Sequence, residues 1–391
     1  MITSPFIFGT TVTDEAFINR TDEIKKLSDN LTSGINTSLI SPRRWGKSSL
    51  VEKTIDDLVK KNKNIRIAMI DLFTVNSSEQ FLEKFARELI KASSTKWQEW
   101  VKNTRLFFKM LIPKINIGID PAHDFSISFD WREMKKNEEE ILNLPETIAQ
   151  QKKIKIIVCI DEFQNIASFS DFESFEKKLR AIWQRQHNVT YCIYGSRRHM
   201  MKDIFNNPSK PFYRFGDIIL LEKIDKNEWV RFITGSFKKT DKQISMDEAA
   251  LIADLMQCHP WYVQQLAHYT WNLTADKTTK GTIEKALSEL INANTPFYQT
   301  ETEILSSTQL NLLIAVLKGE KQLTSVSAMN TYRLGTPRNV SRNKTQLINS
   351  DIIQATGNGF EFVDPAFELW FRQTFLNQPI HKHFDPEVKS G

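Results

Sequence analysis

The run KIKIIVCIDE, residues 153–162, constrains the fold more than any other stretch. Its apolar residues are nearly consecutive and rich in isoleucine and valine, so a strand formed there is covered on both faces. That is the pattern of a parallel sheet, whose helical crossovers cover both sides. INTSLI (35–40), NIRIAMIDL (64–72), VTYCIYGS (189–196) and FGDIILL (215–221) read as its partner strands. Helical stretches lie between them: SLVEKTIDDLVKK with Val51, Ile55 and Leu58 at helical spacing, SSEQFLEKFARELIKAS with Phe81, Phe85 and Leu89 on one face, and FESFEKKLRAIWQRQH. Strands alternating with helices predict an α/β domain over residues 1–224.

One segment breaks the rhythm. IPKINIGIDPAHDFSISFDW (112–131) alternates Phe125, Ile127 and Phe129 with polar residues around a DPAHD turn, which predicts an inserted β-hairpin. Just before it, KWQEWVKNTRLFF (96–108) reads as an amphipathic helix, with a partner-binding face as the alternative. From about residue 225 the pattern turns helical (KNEWVRFITGSFKK, SMDEAALIADLM, WYVQQLAHYTWNL, TIEKALSELINAN), predicting a helical lid over 225–300. After TPFYQTETEIL come STQLNLLIAVLK, SVSAMNTYRL and TPRNVSRNKTQLINS, then two short strands, IIQA and FEFV, around a TGNG turn. Three helices followed by a β-ribbon predict a winged helix over 301–377, with 378–391 as a tail.

Composition sets outer limits. Hydrophobic residues at 40% and charged ones at 25% fit a globular protein with real cores rather than a disordered chain. A formal charge of +5 over 391 residues neither demands nor excludes nucleic acid. Cys159, Cys192 and Cys258 are far apart and form no C-x-x-C pair, which argues against a zinc site or a disulfide framework. With no signal-peptide stretch and no apolar run of membrane-spanning length, a soluble cytoplasmic protein is expected.

The chemistry is carried by SPRRWGKSSL, residues 41–50. Gly46, Lys47 and Ser48 fill the second half of the phosphate-loop pattern G-x-x-x-x-G-K-[ST], with a strand before and a helix after. Ser41 stands where the first glycine belongs; serine costs little there if its φ is negative, and Pro42 stiffens the start of the loop. Backbone N–H groups at a helix N-terminus make an anion site, so the stretch Ser41, Pro42, Arg43, Arg44, Trp45, Gly46, Lys47, Ser48 and Ser49 is the candidate cradle for ATP or ADP. Lys47 would reach the β- and γ-phosphates. Ser48 and Asp161, at the end of its own strand, would hold Mg²⁺, and Glu162 would polarise an attacking water. For Arg43, Arg44 and Trp45 two readings stand: a solvated loop with a packed tryptophan, or arginines that supplement charge near the phosphates or reach another subunit.

Taken together, FINRTDEIKKL, ISPRRWGKSSL, IIVCIDEFQNI, YGSRRHMMKDIF with PFYRFGDIIL, and CHPWYVQQLAHY resemble the archaeal-type ATPase family within the AAA+ and signal-transduction (STAND) ATPases, over residues 5–375. The resemblance implies a P-loop NTPase core with strand order 5-1-4-3-2, a helical lid and a C-terminal winged helix. It places Arg20 and Glu23 near base and ribose, makes Ser196 the polar sensor of the γ-phosphate and Arg214 an arginine finger, and sets Pro260 in the G-x-P turn near the adenine. Cys258 departs from that turn's usual glycine. The plain alternatives are a surface ion pair for Arg214, a helix cap for Ser196, and ordinary packing or exposure for His259 and His268.

The winged helix carries Arg333, Arg338, Arg342 and Lys344, with no acid between 331 and 350, a candidate DNA-contact set. The apolar DPAFELWF run after it must pack somewhere, and docking of a protein partner through winged helix or lid is the competing use. The expected function is an ATP-binding and ATP-hydrolysing conformational switch of AAA+/STAND type, with oligomerisation open and no membrane role. The alternatives are a DNA-binding ATPase resembling origin-recognition proteins and a non-hydrolysing, ADP-holding scaffold. A small-molecule kinase ranks behind these, because nothing marks an acceptor site.

Overall fold

A computed structural model describes residues 3–11, 17–18, 20–93, 115–118, 126–129, 138–357 and 359–379, with backbone alone at 115–118 and 126–129. The expected helix at 96–108 and nearly all of the tail lie outside these residues. In chain order the elements begin α1 (Thr21–Thr32), β1 (Thr37–Ile40), α2 (Lys47–Lys61), β2 (Ile65–Asp71), α3 (Ser78–Ser93), β3 (Ile115–Gly118) and β4 (Ser126–Phe129). They continue with α4 (Glu138–Lys152), β5 (Lys155–Asp161), α5 (Phe172–Trp183), β6 (Val189–Gly195), α6 (Arg198–Asn206) and β7 (Asp217–Leu220). β3 and β4 pair antiparallel, Ile117 opposite Ile127. The other five strands form one parallel sheet in the order β2-β5-β6-β1-β7. Counting those five alone, this is the 5-1-4-3-2 order of a P-loop NTPase core. The central strands are buried throughout β6 and from Ile156 to Ile160 of β5, as the continuous apolar runs require.

Close contacts divide the chain into two units. The first comprises described residues of 20–43 and 47–222. Under its sheet, Trp183 stacks on Tyr191 at 4.1 Å between ring centroids and on Phe85 at 6.1 Å, with Phe163 and Phe212 against it. Rings of this size bury about 150–250 Å² each, so they dominate the packing of that face.

The second unit comprises described residues of 1–19, 44–46 and everything from 223 onward. Its elements are α7 (Lys226–Lys239), α8 (Met246–Leu255), α9 (Pro260–Leu273), α10 (Lys280–Glu303), α11 (Ser307–Leu317), α12 (Val326–Thr331), α13 (Pro337–Asn349), β8 (Ile353–Thr356), β9 (Gly359–Phe362) and α14 (Pro365–Leu376). The N-terminal segment groups here rather than with the α/β domain, because Phe6 sits against Phe232 and Phe237 and Phe8 against Trp261 and His268. α10 runs through Pro296, a residue that ordinarily breaks a helix. Asn294 Nδ2 and Thr295 Oγ1 donate to the Leu290 and Ile291 carbonyls in the turn before the proline, and buried Tyr298 and Thr302 hold the turn after it. The apolar run after the wing becomes α14, whose Phe367 and Trp370 pack on Tyr298 of α10. No helix among the described residues is long and apolar enough to cross a membrane.

Glu176 of α5 is only 2% exposed. Burial pushes its carboxyl up to about 7, against the pull of Lys210 and with help from Asp203. The fold thus favours its protonated form, and stability falls as pH rises from the ordinary glutamate range of about 4.3 through 7. Glu176→Gln should remove that slope. Urea titrations should find the variant more stable than the parent at pH 8 by on the order of 1–3 kcal/mol, and nearly equal at pH 5.

Candidate nucleotide site

Parallel register brings the carboxyl ends of three strands together. Ile40 of β1 lies beside Gly195 of β6, and Ile160 of β5 beside Ile193 of β6. Ligands of open α/β sheets bind at such ends. The segment 41–46, Asp161-Glu162 and Ser196 all leave the sheet there.

In the loop, the left-handed positions are Arg44 (φ 63°) and Gly46 (φ 83°). Ser41 is not one of them, so the missing first glycine costs the backbone nothing. Lys47 opens α2 and is buried, its Nζ folded back to donate to Pro42 O at 2.8 Å, Ser41 O at 3.2 Å and Ser41 Oγ at 3.3 Å. Ser48 Oγ donates to Asp161 Oδ2 at 3.0 Å. Burial, and then the neighbouring Glu162 charge, push the Asp161 carboxyl up to about 6, with the Ser48 hydroxyl and Lys47 opposing.

Glu162 has left-handed backbone (φ 52°), a strained conformation for a side chain of its kind. Its Oε2 accepts from Ser196 Oγ at 2.9 Å and from Gln164 Nε2. Arg43 Nε in turn donates to Ser196 Oγ at 3.3 Å. Ser48, Asp161, Glu162, Ser196 and Arg43 therefore form one polar group, connected through the Glu162 N–H donating to Asp161 Oδ1 at 2.8 Å; the sequence pairs Ser48 with Asp161 but does not join Ser196 and Arg43 to Glu162. Gln164 is the member it lacked. Gln164 fits because position 195 is glycine: a Cβ there would lie 1.9 Å from Gln164 Oε1.

The remaining candidates are placed as follows. Arg20, 5% exposed just before α1, donates to Glu23 Oε1 at 2.7 Å. Arg214 is exposed, left-handed at φ 53°, with its guanidinium over the Tyr213 ring at 5.2 Å. In the second unit, Gln257 (φ 50°) and Cys258 (φ 56°) are both left-handed, so Cys258 adopts the conformation for which glycine is usual. Pro260 follows at the first turn of α9. His259 is buried edge-on to Trp45 at 5.9 Å, and burial, then Lys223 and Arg44, bring its pKa down to about 3. Arg44 is not simply solvated: its Nη1 donates to Tyr262 Oη at 2.7 Å. In the winged helix, Arg333, Arg338 and Arg342 are exposed, while Lys344 lies over the Phe360 ring at 5.4 Å.

A parallel sheet of this order with a glycine-lysine-serine loop after its first strand defines a P-loop NTPase core, here in a chain that also carries helical regions and a winged helix. Residues 17–266 match an ATPase domain predominantly from Archaea, and residues 296–373 a probable winged helix domain. The chain belongs to that archaeal ATPase family. Among solved structures, the Walker-type ATPase PABY2304 of Pyrococcus abyssi is similar at a TM-score of 0.64 and 17% identity, covering 94% of this chain and 99% of that one. The ORC2 protein of Aeropyrum pernix, solved as ADPNP-ADP complexes, is similar at a TM-score of 0.53 and 16% identity, covering 95% and 94%. At these identities the likeness is one of fold. No curated protein matches the sequence.

Gly195→Ala should cost about 1–3 kcal/mol by overpacking against Gln164. In thermal melts the Gly195→Ala/Gln164→Ala double variant should lose less than the two single losses together, since removing the amide removes the clash.

Proposed function

We propose that the chain is a Mg²⁺-dependent ATPase working as a conformational switch of STAND type, in which nucleotide state sets the arrangement of core, lid and winged helix. The connected polar group from Ser48 through Asp161, Glu162 and Ser196 to Arg43 carries this reading. It gathers two hydroxyls, two carboxylates and a cation at adjacent strand ends next to the N-terminus of α2, a natural anion site.

Gly46 and the first N–H groups of α2 would cradle the phosphates, and Lys47 would exchange its loop carbonyls for phosphate oxygens. The Ser48 hydroxyl and the Asp161 carboxylate, 3.0 Å apart, are a hard-oxygen donor set suited to Mg²⁺. Mg²⁺ would neutralise the charge that develops on the phosphates. Glu162, held by Ser196 and Gln164, is oriented to polarise water for ATP hydrolysis to ADP and phosphate. Ser196 bridges Glu162 and Arg43 and is suited to register the γ-phosphate. Arg20, Pro260 and, in a neighbouring subunit's site, Arg214 keep the roles the resemblance implies. The adenine nucleotides in the ORC2 complexes support ATP as the nucleotide.

A second use of the winged helix has its own support. Arg338 and Arg342 lie one turn apart on α13, exposed and in no ion pair among the described residues, as phosphate-contacting cations on duplex DNA would be.

Calorimetry should show micromolar or tighter Mg·ATP and Mg·ADP binding, with Lys47→Ala about 10–100-fold weaker. Glu162→Gln should keep affinity within about threefold while turnover falls about 10²–10⁴-fold. Binding without turnover in the parent would leave the scaffold reading in place of the ATPase. Arg338→Ala/Arg342→Ala should weaken duplex binding at low salt and flatten its salt dependence; a parent that shifts no duplex at low salt removes the DNA reading.

A further inference from the structure

Phosphate binding does not explain why Arg44 is tied into the second unit. Its backbone is left-handed, which a residue other than glycine keeps only where surrounding contacts over-determine it. Those contacts are specific. Arg44 Nη1 donates to Tyr262 Oη at 2.7 Å, and the guanidinium lies over the Trp261 ring at 4.9 Å. Tyr262, 3% exposed on α9, donates its own hydroxyl proton to Asp364 Oδ2. Tyr298 of α10 donates to the same oxygen at 3.3 Å. The other oxygen of Asp364 caps α14, accepting from the N–H groups of Ala366 at 2.8 Å and Phe367 at 2.9 Å. One tyrosine hydroxyl thus joins a phosphate-loop arginine to the cap of the helix that closes the winged helix.

We propose that Tyr262 and Asp364 are positioning residues that hold the phosphate loop, through Arg44, in the shape that receives nucleotide, so that nucleotide affinity and the ordering of α14 are coupled. This deepens the switch reading and rests on it. Arg44 and Gly46 are the loop's two left-handed residues; glycine adopts that conformation freely, whereas arginine needs a restraint. The Tyr262 bond supplies the restraint. Coupling is reciprocal: the factor by which a seated Arg44 raises nucleotide affinity is the factor by which bound nucleotide favours the seated state, and with it the capped α14.

Tyr262→Phe tests this with little disturbance, since it keeps the ring against His259 and beneath the guanidinium and removes only the shared hydroxyl. Asp364→Asn is an independent second variant, because asparagine still caps a helix while the charge is lost. Mg·ADP affinity is read by calorimetry, and amide hydrogen exchange across 365–376 is read with and without Mg·ADP on the full chain. In the parent, Mg·ADP should slow exchange in α14. Tyr262→Phe and Asp364→Asn should each bind Mg·ADP about tenfold more weakly and lose that slowing, and Arg44→Ala/Tyr262→Phe should be no weaker than Arg44→Ala alone. A merely structural tyrosine would lower the melting temperature and leave the nucleotide-dependent exchange difference in place, which overturns the proposal. Folded variants with parental affinity and parental slowing overturn it equally, with nucleotide binding itself intact. A parent that binds no Mg·ADP overturns both this coupling and the switch reading beneath it.

Discussion

The candidate chemistry depends on the lateral register of β1, β5 and β6. Pairing Ile40 with Gly195 and Ile160 with Ile193 ends the three strands side by side, so every group that leaves them starts within reach of the others. The middle strand of the three, β6, is buried along its whole length. What the site adds is polar and short-range. Ser48 meets Asp161, Glu162 meets Ser196, and none of these bonds would form if one strand slipped by a residue.

Left-handed backbone recurs along the described residues, and part of it falls at candidate site positions. Arg44, Glu162, Arg214 and Cys258 are all left-handed without being glycine. Each falls at a position to which sequence reasoning assigned a role, or beside one. Glu162 shows what such strain does: turning the chain sharply just after Asp161 sends two neighbouring carboxylates to different partners, one to Ser48 and one to Ser196 and Gln164. The Asp161 carboxyl is pushed up at that strand end first by burial and then by the neighbouring Glu162 charge.

Much of the fold is legible in the sequence because its signals are periodic and local. The apolar run at 153–162, the strand-loop-helix around Gly46 and the hairpin turn in the winged helix each declare themselves within about twenty residues. What escapes is set by distant partners. Proline ordinarily ends a helix, yet α10 continues through Pro296, with nearby side chains bonding carbonyls in the turn before it and buried residues in the turn after it. Phe6 and Phe8 carry no period linking them to α7 and α9, so the N-terminal segment falls to the wrong neighbourhood on sequence alone. Arg44 and Tyr262 are 218 positions apart, and only the fold brings them together. Gln164 has a local clue in hindsight: a glycine ending a fully buried strand leaves room for a neighbour's side chain.

The division of the chain into units bears on how it can be taken apart. The second unit draws on residues from before the α/β domain, from the phosphate loop within it and from everything after it. In chain order, the α/β unit is inserted within the second unit rather than placed before it. No single cut separates the two: a fragment ending near residue 222 would carry Phe6 and Trp45 without Phe232, Phe237 and His259, leaving aromatic surface bare. A fragment beginning there would lack the same rings from the other side. The chain is therefore a poor donor of modules, and any inheritance of this ATPase by fusion or truncation would have to move both units together.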